Sequence, residues 1–307
     1  MTVTRRLHLI LHGKSAIRED VRAAIRTLRE QGHGVDVSVT FEAGDAARFA
    51  REGMARAWAG ETDVIVAAGG DGTLNEVVAA GLSAQEGGKE SATFALWPLG
   101  TANDFAQGLG LPVADPLAGL RLCAEGKVRA IDAGSVNGRY FINLASGGTA
   151  TRITTETDPA AKRLLGGAAY LIAGVSRIGD LTLSHARFTS EGFCWEGEFV
   201  AMAAGNGRQA GGGIVLCPHA RIDDGELDLT IVPLPDATGI RNLVGGLLRD
   251  GRNHLPEFTE TVRFRELVVE SAVPLSVNLD GEPMSADRLE IKVHPGAVRF
   301  VTGDGAG

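Results

Sequence analysis

Hydrophobic positions change rhythm several times along the chain, and each change marks an element. Leu7–Leu11 is an apolar run of strand length. Ile17, Val21, Ile25 and Leu28 then recur at helical spacing up to Gly32, and Val35, Val37, Val39 and Phe41 alternate as a half-buried strand does. Helical spacing returns over Ala43–Trp58. The β-branched run Val64-Ile65-Val66 breaks into Gly69-Gly70-Asp71-Gly72-Thr73, after which Leu74, Val77, Val78 and Leu82 lie on one helix face. Phe94–Leu96 predicts a fourth strand, Ala102–Leu109 and Pro116–Glu125 two helices, and Val128–Ile131 a short strand. This β-α-β-α order predicts a doubly wound α/β domain around a largely parallel sheet.

After Asp132 the texture becomes strand-rich. Tyr140–Leu144, Arg187–Ser190, Phe199–Ala203, Leu227–Val232, Leu267–Ser271, Leu275–Leu279, Leu289–Val293 and Val298–Val301 are separated by Gly, Pro, Asp and Asn turns. That pattern predicts an antiparallel β-sandwich or barrel. Two helical interruptions are expected, around Ala160–Arg177 and Ala237–Leu248. The expected division is therefore 1–132 and 133–307, with the active site in the cleft between the halves.

Composition narrows the class without naming it. A hydrophobic fraction of 44% and a charged fraction of 22% over 307 residues describe a globular chain long enough for two domains. The net charge of −8 excludes a general nucleic-acid binder, which needs a basic stripe. Three scattered cysteines, with no CxxC pair, argue for reduced thiols rather than a disulfide framework or structural zinc. The N-terminal segment has no h-region of signal-peptide length, and the longest apolar stretch, Leu164–Val175, is too short to span a bilayer. A cytoplasmic location is expected. Leu164–Val175, flanked by Lys162, Arg163 and Arg177, is either a core helix or one that lies at a membrane surface.

The chemistry concentrates in loops. Gly13-Lys14-Ser15 mimics the end of a P-loop, but the glycine that should stand five positions earlier is His8, inside the first strand. The Gly69–Thr73 loop is different: it follows a strand and opens a helix, where glycine backbone and the helix N-terminus suit a phosphate. Asp71 in its middle would repel phosphate unless a cation or a reacting hydroxyl lies between them. Pro98-Leu99-Gly100-Thr101-Ala102-Asn103-Asp104-Phe105 closes the next strand and should face that loop, with Thr101 and Asn103 as possible helix caps. Arg221-Ile222-Asp223-Asp224-Gly225-Glu226 gathers acids at a turn, which suits a hard cation or merely a solvated turn. Asn278-Leu279-Asp280-Gly281-Glu282 reads as a hairpin turn followed by an acid. No His/Cys triad or HExxH pattern is present.

Together the Gly69–Glu76 loop, the Pro98–Phe105 loop, Asp224-Gly225 before a Leu-x-Leu strand, and Asp280-Gly281-Glu282 resemble the diacylglycerol kinase catalytic family, in its bacterial lipid kinase branch. Gly44–Arg48, Thr151–Thr157 and Gly205–Gly213 strengthen the likeness, which runs nearly the full length. The GGDGT element alone is shared with NAD kinases and resembles that of phosphofructokinases; the Pro98–Phe105 loop separates the lipid kinases from both. The resemblance implies a Rossmann-like nucleotide domain and a β-sandwich lipid-substrate domain, with the final strands, about 296–307, returning to the first. It implies ATP contacts at Thr40, Gly70, Asp71, Gly72, Thr73, Leu74, Asn75, Glu76 and Thr101. It places Mg²⁺, or Ca²⁺, at the Asp224 turn, held by the Asp224 carboxylate and the carbonyls of Arg221 and Glu226. Glu282 would take the proton of a lipid hydroxyl, Asp71 acting with it through a cation or water. The expected partners are ATP and a membrane lipid such as phosphatidylglycerol or diacylglycerol, met in transient peripheral contact. Two other readings stay open: a kinase of a soluble substrate such as NAD, and a nucleotide sensor without turnover.

Overall fold

The computed structural model describes residues 4–85, 92–148, 183–234 and 259–303. The expected helices Ala160–Arg177 and Ala237–Leu248, the Thr151–Thr157 segment and the Leu164–Val175 stretch lie outside those residues. The chain forms two compact units, one of residues 1–133 with 295–307, the other of residues 134–294.

In the first unit the chain runs β1 (Arg6–His12), α1 (Gly13–Ala16), α2 (Glu19–Glu30), β2 (Gly34–Thr40), α3 (Asp45–Trp58), β3 (Val64–Gly69), α4 (Asp71–Ser83), β4 (Thr93–Pro98), α5 (Asp104–Gly108), α6 (Pro116–Glu125) and the start of β5 (Lys127–Val136). Strands β4, β3, β1 and β2 lie side by side in that order, all parallel. All six residues of β3 and all six of β4 are buried, as the near-continuous apolar runs of central parallel strands require. Residues Arg299 and Phe300, far along the chain, pair in parallel with Thr93 and Phe94 and cover the other side of β4. The Phe300 ring meets that of Phe105 edge-on at 5.7 Å. Trp97 is fully buried under α6, and its indole N–H donates to the Pro116 carbonyl at 2.8 Å.

Two expectations for this unit change. Val35, Val37, Val39 and Phe41 do not share one buried face: Val35 is buried, Val37 is exposed, and Phe41 lies beyond the strand with 89% of its surface exposed. The reason is that β2 is an edge strand, covered over only part of its length. Ile17 is likewise exposed, because the short α1 intervenes and α2 begins only at Glu19, burying Val21, Ala24, Ile25 and Leu28.

Among the described residues, the strands of the second unit pair antiparallel. After the end of β5 come β6 (Arg139–Phe141), β7 (Leu144–Gly147), β8 (Ser184–Ser190), β9 (Phe193–Gly205), the small pair β10 (Gln209–Ala210) and β11 (Ile214–Val215), β12 (Leu227–Pro233), β13 (Glu260–Phe264), β14 (Glu266–Leu279) and β15 (Glu282–Thr302). Strand β9 changes partners midway, pairing β8 over Phe193–Phe199 and then β7 and β12. Strand β14 does the same, with a register break between Glu270 and Leu275. Such bent, partner-switching strands fold an antiparallel sheet around one core, here built on Phe141, Phe188, Phe199, Leu229, Val277 and Ile291.

The sequence divided this unit too finely. Leu267–Ser271 and Leu275–Leu279 are one strand, as are Leu289–Val293 and Val298–Val301, because Pro274 and Pro295 sit at irregular points of long strands rather than ending them. Tyr140–Leu144, by contrast, is split into β6 and β7 by a bend at Ile142 and Asn143.

Candidate active site

The carboxyl ends of β3 and β4 bring the two glycine loops together. The Leu99 amide donates to the Gly69 carbonyl at 2.8 Å. A Cβ on Gly100 would stand 2.5 Å from the Gly70 Cα, so glycine is required for this backbone contact. Gly69 is constrained similarly: a Cβ there would meet the Thr73 side chain. Gly72 is the opposite case, exposed at the start of α4, with nothing within 4 Å of the position a Cβ would take.

Asp71 joins the loops. Its Oδ2 accepts the Asp104 amide and its Oδ1 the Phe105 amide, each at 3.0 Å. These are the first N–H groups of α5, which a helix leaves without internal partners. The expectation that Thr101 or Asn103 caps this helix is therefore corrected. Asn103 sits at the cap in left-handed conformation, φ 51°, but its amide turns back onto Gly100, accepting its N–H at 3.0 Å and donating to its carbonyl at 2.9 Å. Thr101 is exposed beside it. Burial lifts the Asp71 pKa above the ordinary carboxylate value, against the pull of its two N–H partners. A carboxylate with both oxygens so engaged braces one loop against the other.

The other expected nucleotide contacts divide by burial. Leu74 and Asn75 are buried in α4, and the Leu74 amide donates to the Gly70 carbonyl at 3.0 Å; Gly70 and Thr73 are half-buried. The Glu76 carboxylate accepts the Ala47 amide at 3.2 Å and ties α4 to the first turn of α3. Thr40 ends β2 against β1, where a Cβ on Gly13 would collide with its carbonyl oxygen. Just beyond, Asp45 accepts the amides of Phe41 (2.9 Å) and Glu42 (3.2 Å) and an Arg48 guanidinium N–H (2.7 Å). The Phe41 amide first, then Arg48 and the Glu42 amide, hold its pKa down at about 2.

In the second unit, Asp280 is the anchor that sequence reasoning treated only as part of a turn. Its carboxylate accepts three consecutive amides, Ile142 at 2.7 Å, Asn143 at 2.9 Å and Leu144 at 2.7 Å. This explains the bend that splits β6 from β7: those amides serve a side chain 136 to 138 residues away instead of a neighbouring strand. Asp280 (φ 50°) and Gly281 (φ 106°) are both left-handed, as a tight hairpin turn requires. Glu282 follows at the start of β15, exposed and paired in register with Leu279.

The Asp224 turn was expected to hold a cation through Asp224, Arg221 and Glu226. In this structure the Asp224 carboxylate is engaged by an arginine side chain. Asp224 Oδ2 lies on the Arg263 guanidinium, its Oδ1 accepts the Glu226 amide at 3.2 Å, and Arg263 also reaches the Glu226 carboxylate at 2.9 Å. Arg221 is exposed. Asp228 faces Arg263 across the strand pair, buried, with one carboxylate oxygen unpartnered; burial pushes its pKa up although Arg263 pulls it down. Among the described residues no group of three or more His, Cys, Asp or Glu side chains is arranged to hold a metal. The positive charge at this turn is Arg263. Arg263→Gln should therefore cost about 1 kcal/mol, in keeping with a half-exposed network. In thermal melts, millimolar Ca²⁺ should recover the variant while leaving the wild type unchanged. A Ca²⁺-dependent rise in the wild-type Tm would show that the turn takes a cation with Arg263 in place.

No helix among the described residues is long and apolar enough to cross a membrane. Comparison with known proteins agrees with the loops. Residues 6–136 match the diacylglycerol kinase catalytic domain, and residues 143–302 the YegS C-terminal NAD kinase beta sandwich-like domain. A Pseudomonas aeruginosa protein named "Probable lipid kinase YegS-like" is 46% identical over 293 residues, covering 95% of this chain and 92% of its own. A Xanthomonas euvesicatoria protein of the same name is 45% identical over 298 residues, covering 95% and 94%. Among solved structures, a Bacillus anthracis protein described as "a putative diacylglycerol kinase" superposes with a TM-score of 0.80 over 99% of both chains at 23% identity, which speaks to the fold. The chain belongs to the diacylglycerol kinase catalytic family, among its YegS-like lipid kinases.

Proposed function

We propose that this kinase transfers the γ-phosphoryl group of ATP to a hydroxyl of a membrane lipid, phosphatidylglycerol or diacylglycerol. The observation that carries the reading is the apposition of the two glycine loops at the carboxyl ends of β3 and β4, braced by Asp71. Backbone amides from Gly70 to Thr73, which α4 leaves without internal partners, bind the phosphates at its N-terminus. Thr101 contributes from the second loop, and Thr40 from the end of β2. The acceptor oxygen attacks the γ-phosphorus, the bond to the β,γ-bridging oxygen breaks with ADP leaving, and the hydroxyl proton passes to Glu282. Phosphoryl transfer of this kind rests on positioning and charge neutralisation. A divalent cation arriving with ATP would neutralise phosphate charge, and no step above runs through the Asp224 turn.

The first unit is assigned to the nucleotide and the second to the lipid, in the cytoplasm. The net charge of −8 provides no general attraction to anionic membranes, so contact with lipid is brief. Labelled ATP incubated with fractionated bacterial lipids tests the reading, the expected product being a labelled phospholipid. Label in NAD and in no lipid would make the chain a kinase of soluble substrates. ATP binding without transfer to any fraction would make it a sensor.

A further inference from the structure

Phe41 is the most exposed of the large apolar side chains among the described residues, at 89%. A bare aromatic normally sits on mobile backbone, yet this one does not. Its amide is held by Asp45, and Asp45 is held in turn by Arg48. Two residues past Asp45, the Ala47 amide is bound by Glu76 of the glycine-loop helix. A short chain of hydrogen bonds thus fixes the Phe41 backbone relative to the phosphate loop, while the ring itself is left uncovered.

Its position gives the uncovered ring a use. Phe41 leaves β2 at the carboxyl edge of the parallel sheet, the edge on which such sheets take ligands. Strand order β3, β1, β2 places it two strands from the glycine loop, about 10 Å at the usual strand spacing. A nucleoside triphosphate spans that interval from its phosphates to its base. Close backbone approach of Gly13 to Thr40 keeps the ends of β1 and β2 together. A membrane is the less suited occupant, since the adjoining side chain is the acidic Glu42 and anionic lipid repels it.

We propose that Phe41 is the stacking platform for the adenine base of ATP, with its backbone set before the nucleotide arrives. The proposal rests on the ATP-kinase reading and extends it to the base. Base–aromatic stacking is a face-to-face contact that needs no hydrogen-bond partner, which suits a ring presented on an otherwise polar loop.

The test is ATP binding by calorimetry to wild type, Phe41→Ala and Phe41→Trp, with inorganic tripolyphosphate as a base-free probe. Phe41→Ala should raise the Kd for ATP about five- to a hundredfold. Its Tm and its affinity for tripolyphosphate should stay unchanged, because the removed ring is solvent-exposed. Phe41→Trp should keep ATP affinity, with tryptophan fluorescence quenched by ATP and not by tripolyphosphate. Wild type that binds ATP while Phe41→Ala binds it equally well overturns the platform alone. Wild type that binds neither probe overturns the kinase reading and the platform together. If Phe41→Ala keeps its ATP affinity but loses flotation with phosphatidylglycerol vesicles, the ring is a membrane anchor and the platform fails.

Discussion

Glu282→Gln lowers kcat on the lipid acceptor by about 10²–10⁴-fold, the usual cost of losing a general base, and leaves the Kd for ATP unchanged. The substitution keeps the size and hydrogen-bonding shape of the side chain and removes only its ability to take a proton. The environment makes it a clean experiment. Glu282 is exposed, and the turn that carries it is set by Asp280 and its three backbone N–H partners rather than by Glu282 itself. Folding therefore does not depend on the charge being removed. Turnover and nucleotide affinity are measured on the same preparation, with labelled ATP and by calorimetry. Near-normal turnover would remove Glu282 from the proton-accepting role.

Gly72→Val weakens ATP binding by about a hundredfold or more, equivalent to losing nearly 3 kcal/mol, with no loss of thermal stability. The second half of that statement comes from the packing. A Cβ at Gly72 meets no atom within 4 Å, and valine is a better helix residue than glycine by a few tenths of a kcal/mol. The branched side chain then projects into the space that the phosphate-cradle reading reserves for the ligand. Gly100→Ala would be a poor substitute experiment, because its methyl group collides with Gly70 and disturbs the loop directly. Unimpaired nucleotide binding by a well-folded Gly72→Val protein would refute the cradle.

What the sequence made legible is what lies close together along it. Strands β3 and β4 announce themselves through short apolar runs ending in glycine, and the structure buries every residue of both. The apposition of their loops followed from adjacency in a parallel sheet. The illegible parts are pairings between distant residues. Nothing local to Asp71 reveals that it caps a helix 33 residues later, and the capping rules pointed instead to Asn103, whose left-handed backbone turns its amide onto Gly100. The Asp224 turn has the composition of a cation site, and nothing local to it announces Arg263, 39 residues on, as a partner. Alternation in β2 correctly marked a strand, but periodicity carries no information about whether a neighbour covers both ends. Prolines at 274 and 295 looked like stops, since the irregular strand geometry that accommodates them is not written in the pattern.

The strand segment that covers β4 has a consequence for biosynthesis. Phe300 packs on Phe105, whose amide is one of the two that Asp71 holds, and Arg299 and Phe300 pair with the first two residues of β4. A ribosome that has finished residue 133 has therefore made every glycine of the two loops but not the strand segment that pairs with the start of β4. The entire second unit must emerge before that strand does. Until then β4 presents an open edge to the chaperones and nascent chains around it. The first unit of this kinase is therefore the first to be translated and the last to be finished.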